Sequence, residues 1–326
     1  MRLYQTEFGL TTFFNYKTII PASHLELLED EDNRDYHIYG ILLAPKFFYK
    51  PDSVICFSDH FEITIFSNSF EQYSEYTIPV CFAKDLNHNK LTFDGIYPYS
   101  ALKVNIDDED WLSNNDFDKT FEIQISELFD HCSNALVDRL KYKVLYIGQA
   151  YGKRGERSAI DRLSSHDTFQ KILIDSQRNY PECELKLLLL EINYRVGMGI
   201  ANSSIPTIKD NAADNEHIKN VTTNLPEYRQ VINITEAALI NYFKPEYNST
   251  FIENFPSDKH KTDHQSYELD YNELIVEVDM EFDNFPFIEL YSDTASINSV
   301  WDFIHYKINN DINRDSMYAM FQEIKS

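Results

Sequence analysis

Five residues in the middle of the chain have types and spacings that invite a chemical reading. Tyr146 opens the Tyr-Ile-Gly end of the strand-like run Val144-Leu145-Tyr146-Ile147-Gly148-Gln149. Arg162 and His166 follow, four apart, so that on a helix both project from one face. Glu236 sits near the start of an apolar helical segment, and Asn248 lies just past its end, after Lys244-Pro245. Around the first three lies the one cationic part of the chain. Residues 131–180 carry 9 basic and 5 acidic side chains, against 9 and 23 in residues 1–130 and 11 and 25 in residues 181–326. That pattern is compatible with a local site for an anionic ligand, and also with a solvated surface face. Each residue has a structural reading too. Tyr146 can be a half-buried strand aromatic, and Arg162 a surface partner of Asp161 or Asp167. His166 can be a polar helix-edge residue. Glu236, three after Asn233, can complete a capping box. Asn248 suits a turn.

The elements that would position these residues follow from periodicity. Residues 142–148 read as a strand and 158–174 as a helix with Ile160, Leu163, Phe169, Ile172 and Leu173 near one face. Residues 184–193 form a nearly continuous apolar run, the pattern of a strand buried on both faces. Residues 194–230 read as a long polar insertion. Residues 234–243 predict a helix that Pro245 forbids from continuing. Upstream, residues 126–140 predict a helix. The runs 36–43, 53–57, 61–66, 76–82 and 121–125 predict strands, broken by Pro45, Pro51 and Asn/Ser clusters. Residues 271–282 predict a strand, and 297–324 a helix.

Taken together, the Tyr146-Ile147-Gly148 strand, Arg162 and His166 on the next helix, Glu236 on a later helix and the Asn248 after it resemble the GIY-YIG nuclease superfamily. The run from Leu239 to Asn248 is the most specific local match. The resemblance covers less than half of the chain. The family's first motif, Gly-Ile-Tyr, normally lies about ten residues before Tyr-Ile-Gly. It occurs literally only as Gly95-Ile96-Tyr97, far upstream and followed by Pro98. Tyr97 is therefore the candidate first-motif tyrosine, with 121–125, which has no Tyr, as the rival first strand.

With the patterning of the flanks, an α+β protein in three parts is expected: a β-rich domain over 1–118 and a strand-and-helix extension over 257–326, both read from their own residue patterns, around 119–256, where the resemblance implies a small GIY-YIG-like α/β/α nuclease domain with the insertion 194–230. The resemblance also implies Mg²⁺ (or Mn²⁺)-dependent endonucleolytic hydrolysis of phosphodiester bonds. In that mechanism Glu236 is the protein's metal ligand, which one carboxylate can be because Mg²⁺ keeps several waters. Arg162 holds the non-bridging oxygens. A tyrosine, Tyr146 or Tyr97, assisted by His166, takes the water's proton. Asn248 orients groups or binds phosphate, and Lys153, Arg154 and Arg157 hold the flanking backbone. The competing expectation is a catalytically inactive domain of the same kind that binds nucleic acid or protein.

Composition bounds these readings. The 326 residues carry a net charge of −24, which on average repels a phosphate backbone. Nucleic acid, DNA ahead of RNA, is thus expected to bind through few phosphates. A protein partner or a second copy is also compatible. The four cysteines are scattered, which argues against a disulfide framework or structural zinc. No apolar run is of membrane-spanning length, and the first residues lack a signal-peptide pattern, so a cytoplasmic protein without membrane contact is expected.

Overall fold

The computed structural model describes residues 2–23, 35–132, 139–149, 167–200, 206–256, 264–282, 287–308 and 314–317. In chain order the elements are β1 (Thr6–Pro21), β2 (Ile38–Pro45), β3 (Phe48–Tyr49), β4 (Ile55–Cys56), β5 (Phe61–Ser67), β6 (Ser74–Val80), β7 (Leu91–Ile96), β8 (Ala101–Ile106), α1 (Glu109–Asn114), β9 (Thr120–Gln124) and β10 (Arg139–Gln149). There follow α2 (Asp167–Asn179), β11 (Cys183–Ile200), α3 (Asn211–Thr223), α4 (Tyr228–Phe243), α5 (His264–Glu268), β12 (Glu273–Asp279), β13 (Phe287–Tyr291), β14 (Ser296–Ile297) and β15 (Trp301–Lys307). The class is α+β.

One eight-stranded sheet, in the order β14-β13-β10-β2-β11-β1-β12-β15, organises the chain. Its central strands are apolar on both faces. In β2, Ile38, Leu42 and Ala44 join the large core against α4, while Tyr39, Ile41 and Leu43 join a second cluster with Phe169 and Ile172 of α2. In β11, Leu188 and Leu190 face α4, and Leu185, Leu187 and Leu189 face α2. This two-sided burial is why both runs lack polar alternation.

The sheet curls around α4. Tyr242 Oη donates to the Ser296 carbonyl in β14 at 3.0 Å, and Tyr306 Oη of β15 donates to the Ala238 carbonyl at 3.2 Å. The two edge strands of the sheet therefore touch the same helix. Enclosed in this way, α4 buries residues around most of its circumference, from Val231 to Phe243.

Several sequence expectations are corrected here. The division at residue 118 does not follow the sheet, because β1 and β2 lie in the same sheet as β10. Between β2 and β10 the chain instead builds a four-stranded sheet (β3, β4, β5, β6) and a three-stranded sheet (β7, β8, β9), whose apolar residues join the core that holds α4. Residues 257–326 are likewise no appendage, since β12 pairs parallel with β1, and β13 parallel with β10. Of the helix expected over 126–140, the described residues form a short 3₁₀ turn, Ile125–His131, and, from Arg139, the start of β10; residues 133–138 lie outside the described residues. The helix expected over 297–324 is replaced, as far as Lys307, by β14 and β15, because Ile304 packs inward between exposed Trp301, Phe303 and His305 with strand period. The insertion expected over 194–230 is taken up by the end of β11, by α3 and by the start of α4.

Candidate active site

The site expected from the sequence centres on the last residues of β10, and a bulge there sets what each side chain faces. The β10–β2 register shifts between Val144 and Tyr146, so Leu145 is the extra residue. Val144 packs in the α4 core. Without the bulge Tyr146, two residues on, would face the same way. With it, Leu145 and Tyr146 both join the cluster on the α2 side, and Ile147 returns to the α4 side.

Across from this segment runs β2, antiparallel, with Tyr39 opposite Gly148 and Ile41 opposite Tyr146. The Tyr39 and Tyr146 rings lie 5.9 Å apart, tilted by 35°. Gly148 is what lets them share the space, since a Cβ there would stand 2.7 Å from Tyr146 Cε1 and 2.8 Å from Tyr39 Oη. Tyr39 is 1% exposed and Tyr146 is half-buried.

Tyr97 is elsewhere. It follows β7, in a sheet that does not include β10, and is 83% exposed. The tyrosine next to the motif strand is Tyr39, in the run His37-Ile38-Tyr39. The residues of both small sheets separate it from Tyr146 in sequence, and His37 stands where a glycine was sought. Nothing local in His37-Ile38-Tyr39 marks it as the partner of a strand that far along the chain. The rival strand over 121–125 also lies away from β10, as β9 pairs with β8.

His37 is held in one tautomer. Its Nδ1 accepts the Ile192 N–H at 2.9 Å, which leaves any ring proton on Nε2. Burial pushes its pKa below the usual imidazole value, so the ring is neutral near pH 7.

The outer edge of β10 beyond Lys143 is covered by the turn after α4, since β13 pairs only with Arg139–Lys143. Lys244 ends α4 in the left-handed region at φ 46°, and its N–H reaches the Ile240 carbonyl at 2.8 Å. The Tyr247 N–H then donates to the Leu145 carbonyl at 3.1 Å. The Asn248 side chain accepts from Ile147 N–H at 3.0 Å and donates to its carbonyl at 2.8 Å. A backbone amide and a side-chain amide here do the work of a neighbouring strand. Tyr247 Oη donates to Asp175 Oδ2 of α2 at 3.0 Å, and Lys171 Nζ lies 5.5 Å from the Tyr247 ring centre. Burial, then the Asp175 bond, raises the Tyr247 pKa far above that of a free phenol.

Glu236 is half-buried on α4. The helix begins at Tyr228, so Asn233 is an interior residue and Glu236 is not part of an N-terminal capping box. One turn before Glu236, Asn233 Oδ1 accepts from Gln149 Nε2 at 2.6 Å.

The structure thus places Tyr146, Asn248 and the helix turn bearing Glu236 around the last four residues of β10. Tyr146 lies on the α2 side and Glu236 on the α4 side. Arg162, His166, Lys153, Arg154 and Arg157 lie outside the described residues; α2 is described from Asp167 onward. Among the described residues no group of three or more His, Cys, Asp or Glu side chains could hold a metal ion. Glu236 belongs to no such group among the described residues; a single carboxylate would suit only a largely hydrated ion such as Mg²⁺, not a caged Zn²⁺. Among the described residues no helix is long and apolar enough to cross a membrane.

Compared with protein-family models, curated proteins and solved structures, the chain matches none.

Proposed function

We propose that the protein is a metal-dependent endonuclease that hydrolyses phosphodiester bonds at the end of β10, with DNA as the first substrate to test. The observation that carries the reading is the pairing of two tyrosines, Tyr39 and Tyr146, across a glycine that their rings require, beside an asparagine clamped to the same strand. In this reading Tyr146, with His166, moves the proton of the attacking water. Tyr39 packs against Tyr146 and fixes its ring. Arg162 holds the phosphate oxygens as charge builds. Glu236 would hold a Mg²⁺ or Mn²⁺ ion, which when bound lowers the pKa of water and screens phosphate charge. Asn248 acts by holding the strand that carries Tyr146. Lys153, Arg154 and Arg157 bind flanking phosphates, few enough that affinity stays modest in a chain of net charge −24.

The test is cleavage of supercoiled plasmid and of labelled single- and double-stranded oligonucleotides with 5 mM Mg²⁺ (about the working range of a weakly held hydrated ion). Cleavage by the wild type that Glu236→Ala abolishes supports the reading; equal rates for the two proteins refute it.

A second reading is favoured by one observation: Tyr39 is 1% exposed, too enclosed to act on water itself. A binding module of the same architecture would need no accessible base. It would retain nucleic-acid binding and show no metal-dependent cleavage.

A further inference from the structure

We infer that one mouth of the curled sheet is a binding site for a small linear polyamine, with one ammonium group at Asp130 and Tyr142 and another at Glu281. The inner face of the sheet is apolar along much of its length. Leu188 and Leu190 of β11, Val144 of β10 and Leu290 of β13 all pack in the core that holds α4. Toward one end the same face turns polar. Two positions before Leu188 stands Lys186, and two before Val144 stands Tyr142. In β1 the bulge between Phe14 and Tyr16 changes the parity, which brings Lys17 and Ile19 to this face as well.

The 3₁₀ turn Ile125–His131 covers this end without filling it. Between the turn and the strands lies a cavity of about 310 Å³, with Asp130, Tyr142, Lys186, Ile19 and Ile288 in its wall. A second concavity of about 440 Å³, with Asp279 and Glu281 in its wall, adjoins it; Tyr16, Lys17 and Phe282 border both. Each has room for a small molecule.

The charges select the sign of the ligand. Both lysines are already matched. Lys186 Nζ lies 2.9 Å from Glu184 Oε1 and donates to Ser126 Oγ at 3.2 Å, and Lys17 Nζ lies 2.7 Å from Asp279 Oδ2. Asp130 and Glu281 have no ion-pair partner among the described residues. The wall therefore carries surplus negative charge, in a chain whose net charge of −24 draws cations from a distance.

Tyr142 is the independent sign of a ligand. It is 3% exposed, it lines the cavity, and among the described residues nothing hydrogen-bonds its hydroxyl. Phenylalanine would fill the same space without leaving a polar group unmet. Burial, then the charges of Glu184 and Asp130, raises the Tyr142 pKa, so the phenol stays protonated and keeps lone pairs that can accept from an ammonium N–H. Between Asp130 and Glu281 the wall is apolar, formed by Ile19, Ile288 and the ring of Phe282. Lys17 Nζ, on its own methylene stem, already lies 5.4 Å from the centre of that ring. Two carboxylates separated by such a wall match two ammonium groups separated by methylenes.

The experiment titrates the full chain with spermidine, putrescine and butylamine by calorimetry at about 0.15 M salt, where long-range attraction is screened. Saturable binding of spermidine at one site is expected. Asp130→Asn should weaken it at least about tenfold, and Tyr142→Phe about threefold or more with no fall in melting temperature. Glu281→Gln should weaken spermidine and putrescine but not butylamine, which has a single amine. The double variant Asp116→Asn/Asp118→Asn removes two exposed charges outside both cavities and should bind within about twofold of wild type. Both Asp130 and Glu281 are exposed, so their amide variants keep the test open if Tyr142→Phe fails to fold. Absence of saturable binding, an unchanged affinity in Asp130→Asn, or an equal loss in the Asp116/Asp118 variant, which would mean diffuse attraction to an acidic surface, would each overturn the inference. Binding of acetate or phosphate that Lys186→Met abolishes would overturn it in favour of an anion site. Binding of oligolysine without binding of spermidine would overturn it in favour of a protein partner. Every readout is independent of cleavage, so the nuclease reading stands or falls separately.

Discussion

The Asn248 carboxamide closes on the backbone of Ile147 from both sides, accepting from its N–H at 3.0 Å and donating to its carbonyl at 2.8 Å. No neighbouring strand serves that edge among the described residues, so the side chain is what satisfies it. Asn248→Ala should leave two part-buried backbone groups unmet and cost about 1–3 kcal/mol. Asn248→Asp should also destabilise, because a carboxylate oxygen would face the Ile147 carbonyl where a donor is needed. Urea denaturation followed by far-UV circular dichroism reads both. Wild-type midpoints for Asn248→Ala would show that the edge does not depend on this residue.

Gly148 offers a sharper steric test. A methyl group there meets Tyr146 Cε1 and Tyr39 Oη within contact distance. Gly148→Ala should lower stability by about 1–3 kcal/mol as the rings are pushed apart. Cleavage should fall further than stability does, since Tyr146 is displaced. If activity stays proportional to the folded fraction across a temperature series, the ring position carries no catalytic weight.

How much of this was legible in the sequence varied with the range of the interaction involved. The apolar run over 184–193 and the Pro245 stop were readable because burial and helix termination are written locally. The strand over 271–282 was readable for the same reason. Tyr39 was not, because its pairing with Gly148 spans two inserted small sheets, and nothing local marks a strand for a distant partner. The start of α4 was placed too late because Tyr228 to Asn233 is polar enough to read as loop, while the enclosing sheet supplies the burial that makes it helical. The same distance effect hid the C-terminal strands. Trp301, Phe303 and Ile304 fit a helical count nearly as well as an alternating one, and only the pairing of β15 with β12 decides. The role of Asn248 was half-visible: a turn residue by its neighbours, a strand clamp only in three dimensions.

Acid should destabilise the protein from a definite starting point. Burial lowers the pKa of His37, His88, His131 and His217 below the ordinary 6.5. In each case the unfolded chain binds the proton more readily, so stability rises with pH wherever the unfolded state carries more protons. The contribution of these histidines is therefore complete above about pH 6.5 and is lost progressively below it, toward their lowered folded values. His88 is a clear case, with Nε2 accepting the Phe82 N–H at 3.2 Å and the ring 0% exposed. Unfolding free energies at pH 7.5, 6.5, 5.5 and 5.0 (about two units around the ordinary imidazole value) should fall on the acid side. His88→Gln should flatten the slope, and an unchanged slope would assign the loss to carboxylates instead.

The last prediction concerns the buried ion pair that ties the start of β1 to the far end of the described chain. Arg314 Nε and Nη2 donate to Glu7 Oε2 at 3.2 and 2.5 Å, and its Nη1 reaches Asp270. Glu7 is 0% exposed and also accepts the Leu3 and Tyr4 N–H groups at 3.2 and 3.3 Å. Removing Arg314 takes from the buried Glu7 carboxylate its guanidinium partner, and removing Glu7 leaves the buried Arg314 only its Asp270 contacts. Arg314→Met and Glu7→Met should each cost about 3–5 kcal/mol. The double variant should lose clearly less than the two losses added together, because no orphaned charge remains between them. The Leu3 and Tyr4 N–H groups would still lack their acceptor, so full recovery is not expected. Additive losses in equilibrium denaturation would mean that the two residues act independently, and that the short 314–317 segment is held by its other bonds, chiefly Met317 N–H to Asn272 Oδ1 at 2.9 Å and Asn272 Nδ2 to the Asp315 carbonyl at 2.9 Å.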